Sequence, residues 1–331
     1  MRTLYIVTGA EGHLGCTVVR RLLERGAAVR CLTYGPDNGA LAGLEVERIP
    51  GDLRDPESLD ALFAGTAGQD VRVLHAAGLV SIAGKMDPRL YDTNVLGTKH
   101  LLEACLRHGA RRFVYASSVH AIPEKPAPQV IAEPEALDPQ GVAGAYAKTK
   151  ARATQLVFQS GHMGLEPVVV YPSGLLGPND FSLRGHMTQL VLEYLRGRLP
   201  AGVRGGYDFV DVRDVAAGMV AAAERGRPGE GYLLTGHYAA ISQLLELLHQ
   251  ASGQAPVRLT APRWLALGAV PFLEGRSRRR GEPPLYTAYS LYTLGTNARF
   301  SHEKAASELG YQPRPLEETA AAAVAWCRKY I

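Results

Sequence analysis

The stretch that most constrains this chain runs from Leu4 to Gly26. Leu4-Tyr5-Ile6-Val7 is a short apolar, β-prone run, as a parallel strand buried on both faces requires. Thr8-Gly9-Ala10-Glu11-Gly12-His13-Leu14-Gly15 follows at once, then a helical spacing of Val18, Val19, Leu22 and Leu23 that stops at Gly26. Gly-x-x-Gly-x-x-Gly is a weak pattern alone and a strong one between a strand and a helix. Gly9, Gly12 and Gly15 permit a tight turn and close approach of backbone to a pyrophosphate. His13 and Leu14 stand where the helix N-terminus offers free N–H groups and partial positive charge. The chain is thereby expected to build an open α/β sheet with a dinucleotide at its carboxyl edge.

The pattern then repeats. Residues 28–33 read as a second strand, ending where an Asp or Glu would grip the ribose 2′-hydroxyl of NAD. Thr33 and Tyr34 stand there instead, and Asp37 comes later in a Gly/Pro loop. The missing acid leans toward NADP(H), yet no arginine sits at the strand end unless Arg54 or Arg30 reaches it. NAD(P) is therefore expected, NADP(H) slightly favoured and NAD(H) not excluded. A strand over 45–49 leads to Gly51-Asp52-Leu53 and a helix near Pro56. Asp52 and Leu53 are placed at the adenine, with helix capping the alternative for Asp52. A strand over 71–76 runs into Ala76-Ala77-Gly78, small residues that let a flat ligand lie on the backbone. Asn94 opens a helix to His108, and a strand over 113–116 ends at Ser117-Ser118. A proline-rich loop over 123–139 then crosses to a helix bearing Tyr146 and Lys150. A sixth strand over 167–171 ends in a rigid loop, Pro172 to Pro178, that contains Gly174. This β-α alternation predicts a doubly wound parallel sheet.

Tyr146 and Lys150 are four apart, so a helix places them on one face. An ammonium near a phenol stabilises the phenolate and lowers a pKa whose reference is ~10. The spacing alone is common by chance; its place after a dinucleotide loop and five strands gives it weight.

A length of 331 residues suits two lobes or one large core with a cap. Residues 1–178 are expected to form the dinucleotide-binding domain, with 207–236 returning to it. Residues 179–206 and 237–331 form a substrate cap and C-terminal helices. The charge of +4, from 36 basic and 32 acidic residues, gives no argument for nucleic acid. The basic run Arg276-Ser277-Arg278-Arg279-Arg280 reads as a solvated loop, with a site for an anionic partner the lesser alternative. Cys16, Cys31, Cys105 and Cys327 have neither CxxC nor metal-ligand spacing, so no metal is expected and the thiols suit a reducing cytosol. Met1 enters the first strand without a signal peptide, and a cytoplasmic location is expected. The apolar run from Leu265 to Leu273 is too short to span a bilayer. Resting on a membrane surface and lining an apolar pocket both stay open for it.

Taken together, these motifs resemble the extended short-chain dehydrogenase/reductase family, also described as the NAD-dependent epimerase/dehydratase family. The resemblance is carried by the glycine loop, Gly51-Asp52-Leu53, His75-Ala76-Ala77-Gly78, Asn94, Ser118, Tyr146-x-x-x-Lys150, Pro172 through Pro178, and the tail from Lys304 to Pro313. It implies a Rossmann-type fold with a smaller substrate lobe. It implies that Tyr146 exchanges the oxygen-bound proton as hydride moves, that Lys150 holds the nicotinamide ribose and keeps the phenol acidic, and that Ser118 hydrogen-bonds the substrate oxygen. Ser118 is preferred to Ser117 because it aligns with the catalytic serine of epimerase relatives. Ser117, Tyr171 and Pro172 join the expected cofactor contacts, and His120 is read as lining the substrate pocket or as a plain loop histidine. Relatives suggest a homodimer through helices near 94–108 and 146–162.

The branch turns on Tyr207. Sugar-nucleotide epimerases carry an arginine there to grip phosphates, and a phenol brings no charge. Asp211 and Asp214 read as caps of the next helix. Trp264, Phe272, Tyr286, Tyr289 and Tyr292 suit either an apolar pocket or core packing. The resemblance is closest to the dihydroflavonol reductase-like and 3β-hydroxysteroid dehydrogenase-like group. It implies ketone–alcohol interconversion on an apolar, steroid- or flavonoid-like substrate. A sugar-nucleotide epimerase and a non-catalytic NAD(P)-sensing protein are the alternatives.

Overall fold

The computed structural model describes residues 2–81, 87–280 and 284–331; Met1 and the side chains of Arg276, Arg278 and Arg280, from the basic run above, lie outside the described residues. The first half alternates as expected. β1 (Thr3–Thr8), α1 (His13–Leu23), β2 (Ala28–Thr33) and β3 (Glu47–Pro50) precede the short α2 (Pro56–Leu59) and β4 (Asp70–His75). Then come α3 (Pro88–Tyr91), a π-turn over Asp92–Leu96, α4 (Gly97–Arg107), β5 (Arg112–Ala116), α5 (Ala145–Gln159) and β6 (Glu166–Pro172). The helix expected to begin at Asn94 thus begins at Pro88, capped by Asp87, and carries Asn94 in its π-turn.

β7 (Gly174–Leu176) lies inside the stretch expected to be a rigid loop. It is followed by α6 (His186–Leu195), β8 (Gly202–Val203), β9 (Gly206–Asp211), α7 (Val212–Arg225), β10 (Gly231–Leu234) and β11 (His237–Ala240). α8 (Ile241–Ser252), β12 (Thr260–Ala261), α9 (Arg263–Arg280), α10 (Ala288–Thr293), α11 (Glu303–Leu309) and α12 (Leu316–Cys327) complete the described chain.

The main sheet has seven strands in the order β10-β6-β5-β4-β1-β2-β3, all parallel. It is a doubly wound Rossmann sheet, and its order reverses between β1 and β4, the position at which such sheets take ligands. Two apolar layers cover it. Val7, Val18, Leu22, Val114, Val215 and Met219 pack on one face, and Ile6, Val73, Leu101, Phe113, Val157 and Val169 on the other. A smaller sheet, β11-β9-β7, holds a third apolar cluster with α6, α8 and α12. Residues 206–236 are split: α7 and β10 join the main sheet, whereas β9 pairs with β7 and β11.

Asp211 caps α7, accepting from the Arg213 N–H at 2.8 Å. Asp214 does not cap; it accepts from the Arg314 N–H at 2.8 Å and from its guanidinium at 2.7 Å, tying α7 to the chain before α12. The four cysteines are free and buried. Among the described residues no cluster of His, Cys, Asp and Glu could hold a metal, and no helix is long and apolar enough to cross a membrane.

Candidate active site

The glycine loop closes on itself. The Gly12 N–H donates to the Gly9 carbonyl at 2.9 Å, and Gly9 has a φ of +67°. A Cβ at Gly9 would lie 2.6 Å from the Ala77 nitrogen, and one at Gly15 only 1.9 Å from the Gly9 oxygen. Side chains are thus excluded where β1, α1 and the end of β4 meet. α1 begins at His13 with no side-chain cap and no acid in its first turn, leaving its N–H groups and dipole for an anion. Both observations fit a dinucleotide pyrophosphate. His13 turns its ring away, its Nε2 lying 2.8 Å from the Pro178 carbonyl, and burial lowers its pKa.

The adenosine end resolves the two arginines. Arg30 is consumed elsewhere, paired with Glu47 at 2.7 Å and donating to the Leu62 and Ala64 carbonyls. Arg54 reaches the end of β2: it donates to the Tyr34 hydroxyl at 2.7 Å and pairs with Asp52 at 2.6 Å. Asp52 is not a helix cap, since Asp55 caps α2. Leu53 is buried, and Thr33 spends its hydroxyl on the Ile49 carbonyl at 3.4 Å. The Tyr34 N–H donates to Glu11, from the glycine loop, at 3.0 Å, a junction that no local pattern announces.

Asn94 clamps the loop after β4 to α5. Its Oδ1 accepts from the Leu79 N–H at 2.7 Å, while its Nδ2 donates to the Leu79 carbonyl and to Thr149. A Cβ at Gly78 would lie 3.4 Å from Lys150 Nζ, so the partly exposed run Ala76-Ala77-Gly78 ends beside the α5 lysine. The Tyr171 ring lies in the core against Gly231, which leaves only backbone for a cofactor. Pro172 ends β6, and Gly174 is overlain by the Tyr207 ring.

The two serines face opposite ways. Ser117 Oγ is 2.7 Å from Thr154 Oγ1, itself bonded to the Lys150 carbonyl. Ser118 Oγ accepts from the His120 N–H at 3.2 Å, and its side chain hydrogen-bonds Tyr146. Tyr146 and Lys150 are both buried, one turn apart on α5. The electrostatics differ from the expectation. Burial pushes the Tyr146 phenol up to about 12, only partly offset by Ser118. Burial brings the Lys150 ammonium down to about 7, and its Nζ donates to the Ala116 carbonyl at 2.7 Å. Desolvation thus outweighs the help a cation one turn away gives the phenolate, because that cation is itself desolvated and aimed at the backbone.

Over the Tyr146 ring stands an aromatic wall that no spacing foretold. His120 Nε2 lies 2.9 Å from the Tyr207 hydroxyl and Nδ1 3.3 Å from that of Tyr289, and the His120 ring meets Tyr146 edge-on at 6.2 Å. Burial holds the His120 pKa down to about 4. Tyr289 reaches the site because Gly144, at a φ of +92° before α5, leaves room: a Cβ there would meet its ring at 2.5 Å. His120, Tyr207 and Tyr289 line a small cavity with Val142, Ile131 and Phe300. Of the cap aromatics, Tyr289 therefore belongs to this pocket. Trp264 and Phe272 point to solvent.

Comparison with known proteins follows the same lines. A family model described as "NAD dependent epimerase/dehydratase family" matches residues 5–234. The chain is 36% identical over 330 residues to "Sterol demethylase protein B" of Methylococcus capsulatus, covering 98% of each. It is 32% identical over 331 residues to a "4-hydroxy-2-methyl-3-oxo-4-farnesyl-3,4-dihydroquinoline-1-oxide ketoreductase" of Stigmatella aurantiaca, covering 95% of this chain and 92% of that one. Among solved structures, gox2253 superposes with a TM-score of 0.82 at 31% identity, over 99% of this chain and 98% of that one.

Proposed function

Because this chain belongs to the NAD dependent epimerase/dehydratase family, in its extended short-chain dehydrogenase/reductase branch, we propose that it is an NAD(P)-dependent oxidoreductase. It interconverts a ketone and a secondary alcohol on an apolar substrate of steroid or flavonoid type. The observation that carries this reading is the wall of Tyr207, His120 and Tyr289 over the Ser118–Tyr146 pair. It is aromatic and, above pH about 4, neutral. A sugar diphosphate would meet a phenol where relatives place a guanidinium, which makes the epimerase alternative the weaker one. The names of the sterol- and quinoline-directed relatives lean the same way.

The pyrophosphate would rest on Gly9, Gly12 and the first turn of α1, and Ala76 to Gly78 would floor the nicotinamide end. Tyr34 and Arg54 at the end of β2 support NADP(H), since a guanidinium beside a phenol can receive a 2′-phosphate. A bound nicotinamide supplies or takes the hydride. Tyr146 gives its proton to the carbonyl oxygen in reduction and takes it back in oxidation, and Ser118 donates a hydrogen bond to that oxygen. Lys150 brings positive potential beneath the pair when protonated, below pH about 7, while Asn94, Thr149 and Thr154 hold α5 in register.

Replacing Tyr146 by Phe tests the assignment. Turnover of ketones, followed as NADPH absorbance over a panel of steroids, flavonoids and simple aldehydes, is expected to fall by at least 100-fold. NADPH affinity should stay within about threefold. Unchanged turnover in the variant would refute the role of Tyr146. Tight binding or turnover of a nucleoside diphosphate sugar by the parent protein would decide for the epimerase.

A further inference from the structure

α9 is made unlike the other surface helices. Ala266 and Val270 pack under it against Val203 and Leu291. A surface helix ordinarily sets charge opposite such a stripe. Here every residue from Trp264 to Leu273 is apolar, glycine or proline. The outward positions are Trp264, 73% exposed, Phe272, 71% exposed, Leu265 and Leu267. Trp264 and Leu267 also line a groove of about 710 Å³ with Leu291 and Tyr292 of α10. Ten helical residues rise about 15 Å, half of a bilayer core, so the stretch cannot span one.

Charge selects the occupant. The helix ends in Arg276, Arg278, Arg279 and Arg280 and begins with Arg263, against the single acid Glu274. α9 thus carries +4, equal to the whole excess of the chain, and the remaining residues sum to zero. A second copy docking here would bring an equally basic helix to meet this one. A surface bearing anionic headgroups over apolar chains complements both halves of α9, with Trp and Phe at the boundary and arginine among phosphates.

We propose that α9 is a docking surface for an anionic lipid bilayer, laid in the interface rather than across it. α10 joins this surface to the candidate site: Leu291 packs under α9, and Tyr289, two residues earlier, stands on His120. A lipid-dissolved substrate would then have a short way from bilayer to pocket. The docking itself does not rest on the substrate class, and its readout does not use turnover.

The full-length protein would be floated with vesicles of phosphatidylcholine and phosphatidylglycerol (3:1) and with phosphatidylcholine alone. Tryptophan emission would be recorded alongside, because Trp326 is buried and only Trp264 can respond. Flotation with the anionic vesicles, a blue shift of Trp264 and weaker binding to neutral vesicles are expected. Replacing Arg276, Arg278, Arg279 and Arg280 by Gln should weaken binding roughly fivefold for each arginine removed. Leu265→Glu with Phe272→Glu, both at exposed positions, should abolish the blue shift. No flotation on anionic vesicles, or equal flotation of the parent and both variants, would overturn the proposal. So would a lipid-free dimer in sedimentation that Leu265→Glu/Phe272→Glu dissolves, which would give the face to a second copy.

Discussion

Lys150 offers the sharpest test of the electrostatics. Burial lowers its ammonium from an ordinary 10.5 to about 7. In the unfolded chain it regains the ordinary value. Between those two values the unfolded state binds one more proton than the folded state, so stability rises with pH across the window. The cost is fully present below pH 7 and is relieved as pH approaches 10.5. At about 1.4 kcal/mol for each pH unit, the whole shift is worth roughly 5 kcal/mol. Between pH 7 and 8.5 the gain is about 1.5–2 kcal/mol, allowing for half-titration at the lower end. The buried thiols oppose it above pH 9, because burial raises Cys16 to about 11 and Cys31 and Cys327 to about 12. Comparison with Lys150→Met removes that interference, since both proteins carry the same thiols. Urea unfolding of the two at pH 7.0, 7.75 and 8.5 should give free energies that converge or cross by about 1.5–2 kcal/mol. Loss of the bond to the Ala116 carbonyl shifts the variant by a constant and leaves the slope unaffected. Parallel curves would mean that Lys150 is not desolvated and that the reasoning fails.

Other perturbations test other parts of the site. Gly15→Ala should weaken NADPH at least tenfold in calorimetry and destabilise by about 1–3 kcal/mol through overpacking, because its Cβ would meet the Gly9 oxygen; wild-type affinity would disprove the cradle. Arg54→Ala should raise the Kd for NADPH about tenfold and that for NADH less than twofold, and equal changes would remove Arg54 from cofactor choice. His75 is wholly buried between Thr8 and Thr98, and burial, helped by Lys150, lowers it from 6.5 to about 3. Unfolding between pH 6.5 and 4 should lose stability at up to about 1.4 kcal/mol per unit on its account. His75→Gln should flatten that slope, and an unchanged slope would place the acid sensitivity elsewhere.

What the sequence disclosed is what local physics determines. β2 was legible to the residue because Val29, Cys31 and Leu32 keep a buried, apolar, β-prone run that Arg30 alone interrupts, and the glycine loop because nothing larger fits it. β7 was not legible: three residues within a Pro- and Gly-punctuated segment carry no period, and only pairing with β9 makes them a strand. The π-turn at Asn94 hides within an ordinary helical pattern. The spacing of Tyr146 and Lys150 gave their shared helix face but not the aim of the ammonium, which Ala116 determines from another strand. Asp214 has the right place for a cap, and a partner 100 residues away claims it. Tyr289 stands 143 positions after Tyr146 in the numbering, joined to its site only by the fold.

The wall above Tyr146 has a consequence that follows from counting hydrogens. Two tyrosine hydroxyls and one neutral imidazole bring three hydrogens to two hydrogen bonds. One of the tyrosines must give its hydrogen to the bare ring nitrogen, and the other must accept the ring N–H. Only the accepting tyrosine keeps a hydrogen to spare. Whether that is Tyr207 or Tyr289 depends on the tautomer of His120, so moving one proton across the imidazole carries the spare donor from one side of the cavity to the other.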